Sequence, residues 1–139
     1  MNNLQLLIKA SEKNLPSCSA ASVIGYRVKD AEYGRVVIGL DKTEHLHNPM
    51  GTVHGGIISS IADAAMGYAF STTLEEDELF TTVELKVNFL KAVTNKALRA
   101  EGKIIKRGAN ISLLECYVTD DSGNLIAHAT STCMILKKK

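Results

Sequence analysis

"NPMGTVHGGIISSIADAAMGYAF", residues 48–70, decides the reading of this chain. From about Val53 to Phe70, Ile57, Ile58, Ile61, Ala65, Tyr68 and Ala69 recur at three- and four-residue steps, which is the period of a helix. Only Ser59, Ser60 and Asp63 interrupt its apolar surface, and a helix apolar nearly all round is buried on more than one side. Asp63 is out of keeping with that surface. It lies mid-helix, where it cannot cap, and an unpaired carboxylate in apolar surroundings costs several kcal/mol or takes up a proton. A functional carboxylate accounts for it better than a structural one.

The head of the helix is the second anomaly. Gly55 and Gly56 follow His54, although glycine costs about 1 kcal/mol relative to alanine inside a helix. The first N–H groups of a helix have no intrahelical partner, and the helix dipole is positive there. Bare backbone at that point lets a ligand approach, and the site suits a developing oxyanion. Tight packing of the two glycines on a sheet is an equally good explanation. Gly55 and Asp63 are eight positions apart, about 12 Å along the axis at roughly 1.5 Å per residue. A single reacting carbonyl cannot reach both on one helix. If both act on one substrate, two copies of the helix must run antiparallel across a dimer axis, and a twofold contact is self-complementary.

Outward from this helix the pattern is mostly strand. Residues 3 to 13 carry Leu4, Leu7 and Ile8 at helical spacing, predicting an N-terminal helix within residues 1–14. Residues 20 to 29 and 35 to 41 read as two strands joined at "AEYGR", and "DKTEHLHNPMG" as a loop. After the acidic "LEEDE", Val83, Leu85, Val87 and Phe89 alternate with Thr82, Glu84, Lys86 and Asn88, the signature of a half-buried strand. Residues 97 to 106 and 111 to 119 give two more strands around "KRGAN". The last, 125 to 136, sets Leu125, Ala127, Ala129, Ser131, Cys133 and Ile135 on one face, after the hairpin turn "DDSGN". Four successive strands with short connections imply an antiparallel sheet, and one long helix to cover it gives an α+β layer. The 139 residues fit one domain.

The bulk composition narrows the function. The chain is 45% hydrophobic and 22% charged with a net charge of +1, which argues against a binder that relies on general attraction to nucleic acid. The N-terminus "MNNLQLLIKASEKN" lacks a basic start with a long apolar run, so no signal peptide is expected, and no stretch is long enough for a membrane span. Cys18, Cys116 and Cys133 have no ligand or CxxC spacing and read as reduced thiols of a cytoplasmic protein. His45 and His47 would share a strand face, but with His54 reached only through a Pro-Gly loop they do not make a metal motif, and no HExxH, GxSxG, Walker or Rossmann fingerprint is present.

"NPMGTVHGGIISSIADAAMG", together with "TVELKVNFLKAV", "KRGAN" and "DSGNLIAHATSTCMIL", resembles the hotdog-fold acyl-CoA thioesterases of the PaaI-like, phenylacetate-pathway type. The resemblance runs from about residue 20 to the end. It implies a curved antiparallel sheet wrapped around one long central helix, in homodimers with sites shared between subunits that pair again into tetramers. It implies hydrolysis of an acyl-CoA to a carboxylic acid and CoA, with no cofactor, since coenzyme A is part of the substrate. By the same resemblance the Gly55 N–H polarises the thioester carbonyl, Asn48 helps hold it, and His54 orients the asparagine loop. Asp63 of the partner subunit activates water or attacks directly, and Thr82, or Thr81 if the register slips by one, orients the water. Lys106, Arg107 and Gly108, with Lys91 second, are the candidates for the phosphates of CoA. Medium-chain and aryl-acetyl groups both stay open. A non-catalytic acyl-CoA sensor is the alternative, since hotdog domains also serve as ligand sensors.

Overall fold

The computed structural model describes residues 1–139. Helix α1 spans Asn3–Glu12 and is followed by a short helix α2, Ser19–Ile24. Strands β1 (Arg27–Glu32) and β2 (Arg35–Leu40) precede the long helix α3, Gly55–Ser71. Strands β3 (Glu78–Phe89), β4 (Leu98–Lys106), β5 (Ile111–Asp120) and β6 (Leu125–Lys137) complete the chain. All pairings are antiparallel in one six-stranded sheet of order β1-β2-β4-β5-β6-β3. The sheet curves around α3, which is the hotdog architecture.

The helix is central because its surface leaves it no alternative. Ile58, Ile61, Ala62, Ala65, Met66, Ala69 and Phe70 are all buried. They pack on the inward residues of the sheet, among them Ile38, Leu114, Cys116 and Ala129. The closest approach is at Gly102 of β4, where an added Cβ would collide with the backbone of Ala65 and Met66. Alanine at 65 and glycine at 102 therefore set how near helix and strand can come.

Strand β3 pairs with β6 and not with β4, so the chain after it crosses from the sheet's edge to its middle. Its register slips between Thr82 and Glu84, leaving Val83 as the extra residue of a bulge. The bulge changes parity. Strict alternation puts Thr82 on the face opposite Leu85, Val87 and Phe89, whereas here Thr82 looks toward α3. The hairpin between β5 and β6 is fixed by Asp120, whose Oδ1 accepts the N–H groups of Ser122 and Asn124, with Gly123 at φ 82°.

Three sequence expectations need correction. The predicted strand over 20 to 29 begins as a helix: Ala21 is fully buried, and Gly25 at φ 101° ends α2 with its N–H on the Ala21 carbonyl. His45 lies in a 3-10 turn, Glu44–Leu46, with His47 just after it, so the two histidines do not share a strand face. Leu125 is exposed and Ile126 takes the buried place beside it, because β5 and β6 slip register between Val118 and Thr119.

Candidate active site

His54 caps α3. Its Nδ1 accepts the Gly56 N–H at 2.9 Å, and its carbonyl accepts from Ile57 and Ile58. The ring's Nδ1 is thereby committed to the helix end, and the His54 N–H ties the loop before it through the Leu46 carbonyl, with no hydrogen bond to the Asn48 side chain. Asn48 orders its own loop instead. Its Oδ1 accepts the N–H groups of Met50 and Thr52, and its Nδ2 donates to Thr52 Oγ1 at 2.8 Å. One hydrogen of that amide stays free.

The Gly55 N–H has no hydrogen-bond partner within the chain, whereas the Gly56 N–H is taken. A Cβ at 55 would lie 3.2 Å from the Phe89 ring, which would have to shift to admit it. Packing and exposure of the donor therefore go together. Gly55, Asn48, Phe89 and Lys91 line a cavity of about 360 Å³.

Asp63 opens on a different cavity, of about 560 Å³, formed between α3, α1, α2 and the start of β3. Burial pushes its carboxyl above the usual carboxylate range, and a hydrogen bond from Thr82 opposes the rise. That bond is long, 3.4 Å from Thr82 Oγ1 to Asp63 Oδ1. Ser59 and Ser60 give Asp63 nothing, since their hydroxyls donate back to the Gly55 and Gly56 carbonyls. Thr82 and not Thr81 faces the carboxylate. Strand and helix run antiparallel here, so Thr82 meets Asp63 while Phe80 lies on Gly67, where a Cβ would be 3.2 Å from its ring.

The basic candidates separate. The Arg107 guanidinium is occupied: it pairs with Glu78 at 3.2 Å, donates to Thr73 and lies 5.5 Å from the Phe70 ring centroid. Gly108 serves its own turn, since a Cβ would strike the Ile111 carbonyl oxygen and its N–H donates to Ser112. Lys106 is exposed, and like Arg107 it lies toward the end of the molecule where α3 terminates. Lys91 alone of this set lines the Gly55 cavity. No cluster of His, Cys, Asp and Glu could hold a metal, and no helix is long and apolar enough to cross a membrane.

Of the residues lining the two cavities, Ser17 and Tyr26 were not read from the sequence. Their signal is spacing to Asp63 and Gly55 across elements, which only the strand register reveals.

The Thioesterase superfamily matches residues 50–127, from the loop before α3 into β6. The 1,4-dihydroxy-2-naphthoyl-CoA hydrolase of Listeria monocytogenes is 28% identical over 116 residues, covering 84% of this chain and 94% of that protein. A Thioesterase family protein from Silicibacter pomeroyi superposes with a TM-score of 0.85 at 26% identity, covering 98% of this chain and 99% of the other. The PaaI protein of E. coli, from its phenylacetic acid degradation operon, shares the fold with a TM-score of 0.84 at 15% identity and 99% coverage of both chains. With the matched family spanning more than half of the sequence, the chain belongs to the thioesterase superfamily and is a hotdog-fold acyl-thioester hydrolase of the PaaI-like type.

Proposed function

We propose that the protein hydrolyses acyl-CoA thioesters at two equivalent sites, each built from two copies of the chain. One observation carries this reading: the free Gly55 N–H and the half-buried Asp63 lie on one helix but open on different cavities. Each cavity supplies half of what thioester hydrolysis needs. Two α3 helices antiparallel across a twofold axis bring the halves together, and the unpaired edge of β3 offers the contact. The tetramer is this dimer paired once more.

In that site the thioester carbonyl oxygen accepts from the Gly55 N–H, at the positive end of the helix dipole, and from the free hydrogen of Asn48 Nδ2. Asp63 of the partner subunit takes a proton from water as the water oxygen attacks the carbonyl carbon, with Thr82 holding the carboxylate. The C–S bond then breaks, CoA leaves as the thiol, and the acid is released. Direct attack by Asp63 fits the same placement. Lys91, at the edge of the Gly55 cavity, takes a phosphate of CoA, and Lys106 is the second basic contact. The three unpaired cysteines are in keeping with a reducing compartment such as the cytoplasm.

The test is purified protein with a panel of acyl-CoAs of graded chain length and aryl character, with released thiol followed by a chromogenic disulfide. CoA release that disappears in Asp63→Ala is the expected result. Binding of acyl-CoA without release would replace the enzyme by a ligand sensor.

A further inference from the structure

Behind the Asp63 carboxylate, a short row of hydroxyl and thiol groups leads into the core. The bulge at Val83 turns Thr82 toward α3 and sets it directly opposite Cys133 of β6. Thr82 Oγ1 lies 3.4 Å from Asp63 Oδ1 and 3.7 Å from Cys133 Sγ. Cys133 Sγ lies in turn 3.9 Å from the hydroxyl of Ser131, two residues away on the same inward face of β6. Cys133 and Ser131 are both 0% exposed. The neighbouring inward positions of β6 hold Ala127 and Ala129, and the Ser131 hydroxyl has this sulfur as its one hydrogen-bond partner.

Counting hydrogens gives the row a direction. A threonine hydroxyl, a thiol and a serine hydroxyl each carry one. Thr82 donates its hydrogen to Asp63. Its contact with Cys133 is then made by the S–H group, with Thr82 Oγ1 accepting. With the thiol hydrogen committed to Thr82, the remaining contact is the Ser131 O–H donated to the sulfur. Every hydrogen in the row points toward the carboxylate. The opposite order would leave the Ser131 hydrogen with no acceptor, at a place that water does not reach. Burial pushes the Cys133 thiol above its ordinary range and the Asp63 charge adds to the rise, against the two hydrogen bonds, so the thiol keeps its hydrogen at neutral pH. Sulfur is a weak donor and a weak acceptor, so the row acts through direction more than through strength.

We infer that Ser131 and Cys133 are positioning residues for the reaction: from within the core they hold the Thr82 hydroxyl with its single hydrogen toward the Asp63 carboxylate. The inference rests on the reading of Asp63 as the base and adds to it the residues that set its one hydrogen bond. Ser131 fixes the order, because reversing the row strands its hydrogen, and Cys133 transmits that order to Thr82. The other titratable groups facing Asp63 are Cys133 from β6 and, across the cavity, Tyr26 and Tyr68, with the exposed Cys18 beyond them. No charged residue of α1, α2 or β3 lines that cavity.

The test is the pH profile of kcat/KM on the acyl-CoA of the panel that the wild type hydrolyses fastest. Ser131→Ala is expected to move the acid limb upward by about half a pH unit, which is about a threefold rise in the proton affinity of the carboxyl. The same substitution made on Thr82→Val or on Cys133→Ala should move the limb no further, because the row is already cut. A serine that served packing alone would lower Tm in every background and leave the limb in place. The infrared band of the protonated Asp63 carboxyl, taken as the difference from Asp63→Asn, titrates independently of turnover and should shift by the same amount. Circular dichroism and size-exclusion profiles matching the wild type show that the variants are folded. A limb and a band that stay in place in Ser131→Ala, or that shift equally in the two cut backgrounds, overturn the inference and leave the thioesterase reading standing. No CoA release from any member of the panel, or release that Asp63→Ala leaves unchanged, overturns both.

Discussion

Asp63, the base of the proposed reaction, comes at a cost to the fold. Its carboxyl titrates above the ordinary range because burial disfavours the charge. The folded state thus binds its proton more tightly than the unfolded chain does. Stability associated with this group is greatest when it is protonated and falls as pH rises through the unfolded and then the folded pKa. Asp63→Asn should therefore lower kcat/KM by about 10²–10⁴-fold, the range for a lost general base, while raising Tm at pH 8. The Tm gain should shrink toward pH 4, and thermal melts across that range check it. Thr82 acts in the opposite sense on the same carboxyl. Thr82→Val removes the one hydrogen bond that favours the charged form, so the acid limb of kcat/KM against pH should move to higher pH. A limb that stays in place would show that the 3.4 Å contact does no catalytic service.

At the scale of elements, α3 was legible because its pattern is extreme. Apolar residues at 57, 58, 61, 65, 68 and 69 fix a buried helix, and Asp63 stands out within it. The orientation of Thr82 was hidden, because its facing depends on the bulge at Val83, and a bulge follows from pairing with β6 that no local pattern encodes. The short helix α2 was missed for a related reason: six residues of alanine, serine, valine and isoleucine satisfy either period, and burial of Ala21 decides. His54 was expected to orient the asparagine loop, and its capping contact with Gly56 is a local feature that the sequence did not single out. Two substitutions probe the packing of α3. Gly102→Ala forces a methyl against the Ala65 backbone and should destabilise the protein by about 1–3 kcal/mol, the usual cost of overpacking, in urea titrations. His54→Ala should cost about 1 kcal/mol through loss of the cap.

For the whole molecule, the sequence carried the layer arrangement but not the strand order, since the crossing from β3 to β4 is set by pairing far along the chain. The proposed shared site has a direct test. Asp63→Ala disables one half of a site and Asn48→Ala weakens the other. Mixed dimers of the two variants contain one site with both defects and one with none. Refolding an equal mixture should restore about a quarter of wild-type turnover, since half the dimers are mixed and each has one intact site. Turnover no higher than the average of the separate variants would place both residues in the same subunit's site.

The two margins of the sheet are unequal. β3 is twelve residues long and leaves Val83 and Phe89 more than half exposed. β1 is six residues long, is interrupted by an irregularity after Val28 and bears Arg27, Lys29, Asp30 and Glu32. The Ser11 hydroxyl of α1 also donates to the Lys29 carbonyl there. A receptive margin opposed by a guarded one permits a single like-to-like junction along the sheet and no further strand added to it. In the proposed dimer, strand addition would therefore stop at two sheets, because the joined β3 margins are used up and the outer β1 margins are short and charged.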